Sequence, residues 1–149
     1  MDWAPSAVRT QILEAHGGLR RSLDEMETLL ERVSRGENGA DGLLTQKVLE
    51  FRTAFLEHLK HEEAALRPVL EAIDSWGPVR VQRMDAEHQE QRETLQALGA
   101  LLSKRGSGAN TGVVRDFLST IRLDMDEEER ESLREDLLKD DPITTGSSE

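Results

Sequence analysis

Apolar residues recur at alternating spacings of three and four along nearly the whole chain, which is the period of an amphipathic helix. No segment alternates apolar and polar residues as a half-buried strand does. Turn-forming residues interrupt the helical pattern at positions 36–42, 74–78 and 105–112. These interruptions divide the chain into four helical segments.

The four segments predict four helices joined by short loops. The first should begin after Pro5, with Ser6 as its N-cap, and end near residue 33. The second should span about residues 43–73, the third should begin at Pro78, and the fourth should continue to about residue 139. We expect residues 1–139 to form an all-α, antiparallel up-down-up-down four-helix bundle with helices of about 26 to 31 residues. Residues 140–149 should form a flexible polar tail.

Composition narrows the functions available to such a bundle. The chain of 149 residues has no cysteine, so any metal must be bound by nitrogen and oxygen, and the protein fits a reducing compartment. A net charge of −11 argues against nucleic-acid binding, which needs clustered Lys and Arg. No segment approaches the roughly 20 apolar residues of a membrane span, and the amino terminus does not resemble a signal peptide. We therefore expect a cytoplasmic protein that binds neither nucleic acid nor membrane.

Polar residues occupy positions where the helical pattern places the core. His16, His58 and His88 stand among apolar residues on the first three helices, and Glu62 lies one turn after His58. A buried imidazole or carboxylate without a partner costs several kcal/mol, and a metal ion supplies a partner. A single histidine on an apolar face is more often a hydrogen-bonded core residue, so no one of these residues carries the argument.

The depth of these residues along the bundle strengthens the interpretation. Asp124 and Glu128 repeat the four-residue spacing on the fourth helix, and in an antiparallel bundle all four helices bring their polar residues close to mid-height. Two such pairs facing two single histidines could hold two metal ions, bridged by Glu62 and Glu128. Imidazole and carboxylate ligands suit iron, with manganese or zinc as alternatives. The six predicted metal ligands are His16, His58, Glu62, His88, Asp124 and Glu128.

Neighbouring polar residues receive other interpretations. His61 lies toward the edge of the stripe and is predicted to be a surface residue or a neighbour of the ligands. Four acidic residues are predicted to be solvated charges. They are Glu63, Asp126, Glu127 and Glu129. Gly17 and Gly18 follow His16 directly, and we expect that they allow either close helix approach or ligand access, since each glycine costs a helix about 1 kcal/mol.

These motifs resemble the hemerythrin-like, HHE cation-binding family over nearly the whole chain. The segment around His16 is similar to the family's first-helix histidine motif, and residues 55–68 are similar to its His-x-x-x-Glu motif followed by proline. Ala86-Glu-His88 resembles the third-helix histidine. Residues 124–133 resemble the fourth-helix His-x-x-x-Glu motif, with Asp124 in the place of histidine. The resemblance implies a four-helix bundle with a non-haem di-iron centre that binds, senses or reacts with dioxygen, peroxide or nitric oxide.

Two departures from the family pattern bear on mechanism. Oxygen-carrying members have a His-x-x-x-His pair on the third helix, and here Met84 replaces its first histidine. Asp124 adds a negative charge, which should favour ferric over ferrous iron. Reversible oxygen carriage becomes less favoured, and the loss of a ligand at Met84 leaves either an open metal position or a single-metal site.

Other functional classes fit less well. A ferritin-like site needs Glu-x-x-His motifs, and no glutamate stands three residues before a histidine in this chain. Motifs of hydrolytic enzymes are missing as well. The main alternative is an interaction or regulatory bundle whose metal site has decayed. A third hypothesis makes the protein a metal-dependent sensor that acts through a separate, unidentified protein partner.

Overall fold

The structure is a computed structural model that describes residues 4–140. Within these residues the chain forms four long helices and no strand, which confirms the predicted all-α four-helix bundle. The helices are α1 (Pro5–Ser34), α2 (Ala40–Ile73), α3 (Gly77–Arg105) and α4 (Thr111–Glu131), and a short 3₁₀ turn at Gly108–Asn110 precedes α4. Residues 141–149, which make up most of the predicted tail, lie outside the described part of the chain.

Short connections determine how the helices are arranged. Residues 35–39 join α1 to α2, and residues 74–76 join α2 to α3. Five residues reach at most about 18 Å, whereas a 30-residue helix is about 45 Å long, so successive helices must run in opposite directions. Helix α1 packs against both α2 and α4, and α2 packs against α3. Among residues 4–140, no helix combines the length and apolar character needed to cross a bilayer.

The helix ends differ from the sequence-based prediction at three places, and the lengths of α2 and α4 lie outside the predicted range. Helix α2 begins at Ala40, before the predicted start at residue 43, and has 34 residues. Ser6 is not the N-cap of α1, because Ala4 occupies that position and Pro5 begins the helix. The amide and hydroxyl of Ser6 instead donate hydrogen bonds of 2.8 and 2.6 Å to the Asp140 carboxylate. At the other end, α4 has 21 residues and stops at Glu131, short of the predicted end. Leu133 and Leu138 follow in turns and are still fully buried, which explains why their spacing imitated a helix.

Two apolar clusters form the core, and the polar residues of interest lie between them. The larger cluster surrounds Phe51, Phe55 and Phe117. The smaller one contains Ile12, Leu66 and Met84 together with the leucines that follow α4. On each helix the chain passes from one cluster to the other through a buried or half-buried polar segment. The core is therefore interrupted at mid-height by a layer of imidazoles and carboxylates.

Candidate metal centre

Four side chains from three helices converge in this polar layer. His16 comes from α1, His58 and Glu62 come from α2, and Glu128 comes from α4. One nitrogen or oxygen atom from each residue lies within 4.8 Å of the corresponding atoms of the other three. Nε2 of His58 is 2.7 Å from Oε2 of Glu62, and Nε2 of His16 is 2.9 Å from Oε1 of Glu128. This is a buried His₂Glu₂ cluster that could bind a metal ion.

Two atoms of the cluster have no hydrogen-bond partner. Nε2 of His16 and Oε2 of Glu62 are both buried. Their short contacts with Glu128 and His58 do not have hydrogen-bond geometry. The two atoms are 3.6 Å apart, and His16 and Glu62 are 0% and 1% exposed. Unsatisfied buried polar atoms are costly, but a metal ion placed among them would accept their lone pairs. The donor set of two imidazoles and two carboxylates fits a divalent cation of the iron, manganese or zinc type.

His88 and Asp124 lie at the edge of this cluster. Nε2 of His88 is 3.0 Å from Oε1 of Glu62, so the two oxygens of Glu62 face different histidines. Asp124 is half-buried and accepts a 3.1 Å hydrogen bond from Nε2 of Gln91. All six predicted ligands line one cavity, although only the ligand atoms of His16, His58, Glu62 and Glu128 converge closely.

The cavity is small, and acidic side chains form a large part of its lining. Its volume of about 30 Å³ is large enough to hold water or bare metal ions but not a larger ligand. Phe55, Leu59 and Met125 form apolar parts of the wall, and Met84 lines the same cavity. Five further polar residues, which the sequence did not assign to a metal site, also line the cavity. These are Glu87, Gln91, Glu127, Glu131 and Ser132.

Burial and close packing shift the pKa values of these groups. Burial alone would lower the pKa of His16, but Glu128 and Glu62 raise it to about 10. Burial, together with the nearby charge of Glu62, raises the pKa of Glu128 to about 8. Burial also favours the neutral form of Glu62, yet His16 and His58 outweigh it and lower the pKa of this carboxyl group. The cluster therefore holds protons at neutral pH that a bound cation would displace.

Two acidic residues that were predicted to be solvated are instead bonded to the histidines. Oε2 of Glu129 lies 2.7 Å from Nδ1 of His16, and Oε2 of Glu63 lies 2.9 Å from Nδ1 of His88. Both carboxylates are half-buried. Each follows directly after a predicted bridging glutamate. Adjacent helix positions differ by about 100°, so the sequence alone does not tell whether such a side chain faces solvent or a neighbouring helix.

The remaining candidates lie further from the cluster. His61 is exposed, as expected for a surface residue, and it lines a groove between α1 and α2 that also contains His58. Gly18 lines this groove, but neither glycine mediates close helix approach. A Cβ atom at Gly17 or Gly18 would meet only the Arg21 guanidinium, at 3.8 and 3.7 Å. The close-approach explanation for these glycines is therefore wrong.

Fold and site together define a class: an all-α bundle with a buried cluster of imidazoles and carboxylates at mid-height that could hold a cation. The sequence profile described as the hemerythrin HHE cation binding domain matches residues 8–134. The chain belongs to this family. Comparisons with curated proteins and with solved structures gave no significant match.

Proposed function

We propose that this protein binds metal at mid-bundle and uses the bound metal to bind, sense or react with a small oxygen or nitrogen species. The supporting observation is the convergence of His16, His58, Glu62 and Glu128 around two buried polar atoms that have no hydrogen-bond partner. Family membership supports a cation as the missing partner. The absence of cysteine fits work in the reducing cytoplasm.

The arrangement supports two metal positions of unequal quality. The first would be held by His16 and His58 with oxygens of Glu62 and Glu128. The second would be held by His88 and Asp124 together with oxygens of the same two glutamates. Because Oε1 of Glu62 faces His88 while Oε2 faces His58, this carboxylate is oriented to serve both positions. Met84 lines the cavity where oxygen carriers of the family have a histidine, so the second position has fewer nitrogen donors.

Iron is the cation that we propose, with manganese or zinc as alternatives. Bound iron would supply redox chemistry and an open coordination position for dioxygen, peroxide or nitric oxide. The surrounding residues shape the environment of the metal. Phe55, Leu59 and Met125 restrict the access of water to the cavity, and Asp124 contributes negative charge. This charge favours ferric iron and reduces the tendency toward reversible oxygen carriage.

The test is metal analysis of the protein after anaerobic addition of ferrous iron and removal of loosely bound metal. Two irons per chain support the di-iron version, and one supports a single-metal site at His16 and His58. A visible spectrum that changes on addition of peroxide or nitric oxide supports a reactive centre. Far less than one iron per chain, with no rise in thermal stability on adding iron, manganese or zinc, would favour the alternative of an interaction bundle with a decayed site.

A further inference from the structure

The two histidines on α1 and α3 have matching outer partners. His16 is followed four residues later by Arg20, and His88 is followed four residues later by Arg92. In each case a glutamate on a neighbouring helix contacts both the histidine and the arginine. We propose, building on the function proposed above, that Glu63 and Glu129 are positioning residues. Each is held by its arginine and orients one histidine so that its Nε2 faces the metal cavity.

The first carboxylate clamp consists of Glu63, His88 and Arg92. Glu63 is on α2, and the other two residues are on α3. Oε2 of Glu63 lies 2.9 Å from Nδ1 of His88 and accepts a 2.7 Å hydrogen bond from Nη1 of Arg92. Nη2 of Arg92 donates a second bond of 2.8 Å to Oε1. Two parallel bonds fix the plane of the carboxylate, and the carboxylate then fixes the imidazole.

The second carboxylate clamp consists of Glu129, His16 and Arg20. Glu129 is on α4, and its partners are on α1. Oε2 of Glu129 lies 2.7 Å from Nδ1 of His16 and accepts a 2.6 Å bond from Nη1 of Arg20. The other end of this guanidinium donates to Asp126, also on α4, at 2.7 Å. As in the first clamp, one carboxylate oxygen receives both the imidazole and the guanidinium.

The two clamps are built in the same way from different pairs of helices. Helices α1 and α3 each supply a histidine and an arginine, whereas α2 and α4 each supply two consecutive glutamates. The first glutamate of each pair, Glu62 or Glu128, faces the cavity, and the second reaches the histidine of the neighbouring helix. The same arrangement built twice from distant segments is difficult to attribute to incidental surface ion pairing. His58 has no carboxylate within 4 Å of its Nδ1 among residues 4–140.

The physical effect of a clamp is on the ring nitrogen that remains free for metal. A histidine bound to a cation through Nε2 carries its proton on Nδ1, and a carboxylate at Nδ1 stabilises this form and makes Nε2 a better donor. Burial leaves the rings of His16 and His88 almost no solvent that could replace this partner. The clamps therefore set both the orientation and the donor strength of two of the three proposed imidazole ligands.

The experiment compares Zn²⁺ affinity, measured by chelator competition, across a graded set of variants. Glu63→Gln keeps an acceptor for His88 but loses the charge, and Glu63→Ala loses both. Each Gln variant, including Glu129→Gln, should weaken Zn²⁺ binding by about 10- to 100-fold, and each Ala variant should weaken it further. The matched control is Asp85→Asn. Asp85 also forms a two-bond pair between α3 and α2, with Arg67, but it touches no histidine in the described structure.

A second readout locates the proton directly. In the Zn²⁺-loaded protein, ¹⁵N NMR should show His16 and His88 protonated at Nδ1, with slowly exchanging ring protons. Urea unfolding of the metal-free variants should match that of Asp85→Asn, which separates positioning from simple stabilisation. The positioning role is contradicted if Glu63→Gln and Glu129→Gln bind Zn²⁺ as tightly as the control, or if either ring carries its proton at Nε2. Neither result would contradict the metal site itself. If the unmodified protein binds neither Zn²⁺ nor iron, the proposed function fails as well.

Discussion

Nε2 of His16 on α1 lies 2.9 Å from Oε1 of Glu128 on α4, so the first and last helices of the bundle meet through a potential metal donor on each side. His16 has no exposed surface. The same ring reaches Glu129 through its other nitrogen, at 2.7 Å. The His16 imidazole therefore joins the cavity to the ion pair of Glu129 and Arg20. Metal binding at this ring and the packing of α1 against α4 depend on each other.

Replacing Glu62 should abolish the site. This carboxylate lies within 3.6 Å of His16, His58 and His88, and no other carboxylate among residues 4–140 pairs with all three. We expect Glu62→Gln to weaken metal binding by more than about 100-fold, beyond the range typical of residues that act through a ligand. The control is Glu57→Gln, an exposed position on the same helix that pairs with Lys60. Equal metal content in the two variants, measured by elemental analysis, would contradict the assignment of Glu62.

Metal affinity should rise with pH well above neutrality. The pKa of His16 is raised to about 10 and that of Glu128 to about 8, so both groups carry protons at pH 7 in the metal-free protein. A cation must displace these protons, so binding weakens as pH falls and strengthens as pH rises toward the raised pKa values. Ordinary imidazoles, with pKa near 6.5, would give affinity that levels off by about pH 7.5.

The measurement is Zn²⁺ affinity by chelator competition between about pH 6 and 9, with proton release followed in weakly buffered solution. Affinity that is constant above about pH 7.5, with no protons released, would show that the cluster is already deprotonated.

Asp124 should control the redox properties of the second metal position. Asp124→His restores the imidazole of the family pattern and removes a negative charge, so we expect the reduction potential of bound iron to rise. Asp124→Asn removes the same charge without adding a nitrogen donor. Both variants should raise the potential in spectroelectrochemical titration, but Asp124→His should hold iron more firmly than Asp124→Asn. An unchanged potential in both variants would place Asp124 outside the metal's coordination and electrostatic environment.

The glycines beside His16 should be replaceable with a gain in stability. Both lie inside α1, and an added Cβ would make only ordinary contacts with Arg21. Gly17→Ala and Gly18→Ala should each increase the free energy of unfolding by about 1 kcal/mol in urea denaturation. The contrasting control is Gly77→Ala, whose Cβ would lie 2.4 Å from the backbone oxygen of Glu71 and should destabilise the fold. A loss of stability on replacing Gly17 would reveal a conformational requirement at that position.

The spacing of apolar residues predicted the bundle because four long amphipathic segments with short connections have few ways to bury their apolar faces. The same spacing gave a wrong helix end where residues are buried without being helical. Leu133 and Leu138 are as buried as any helical leucine, yet they lie in turns beyond α4. The N-cap prediction for Ser6 failed because its hydrogen-bonding partner, Asp140, is far away in the sequence and no local pattern indicates it.

The sequence by itself determined which residues could form the polar layer. The i, i+4 spacing of His58 and Glu62 and the similar depth of His16, His88, Asp124 and Glu128 place all six around one cavity. Only the tertiary structure decided which donor atoms converge, which oxygen of Glu62 faces which histidine, and which acidic residues stand behind the rings. Glu63 and Glu129 could not be distinguished in sequence from solvated charges, because their role depends on side chains from neighbouring helices. Helical periodicity fixes the face that a residue occupies, whereas the partner it meets depends on how the helices pack.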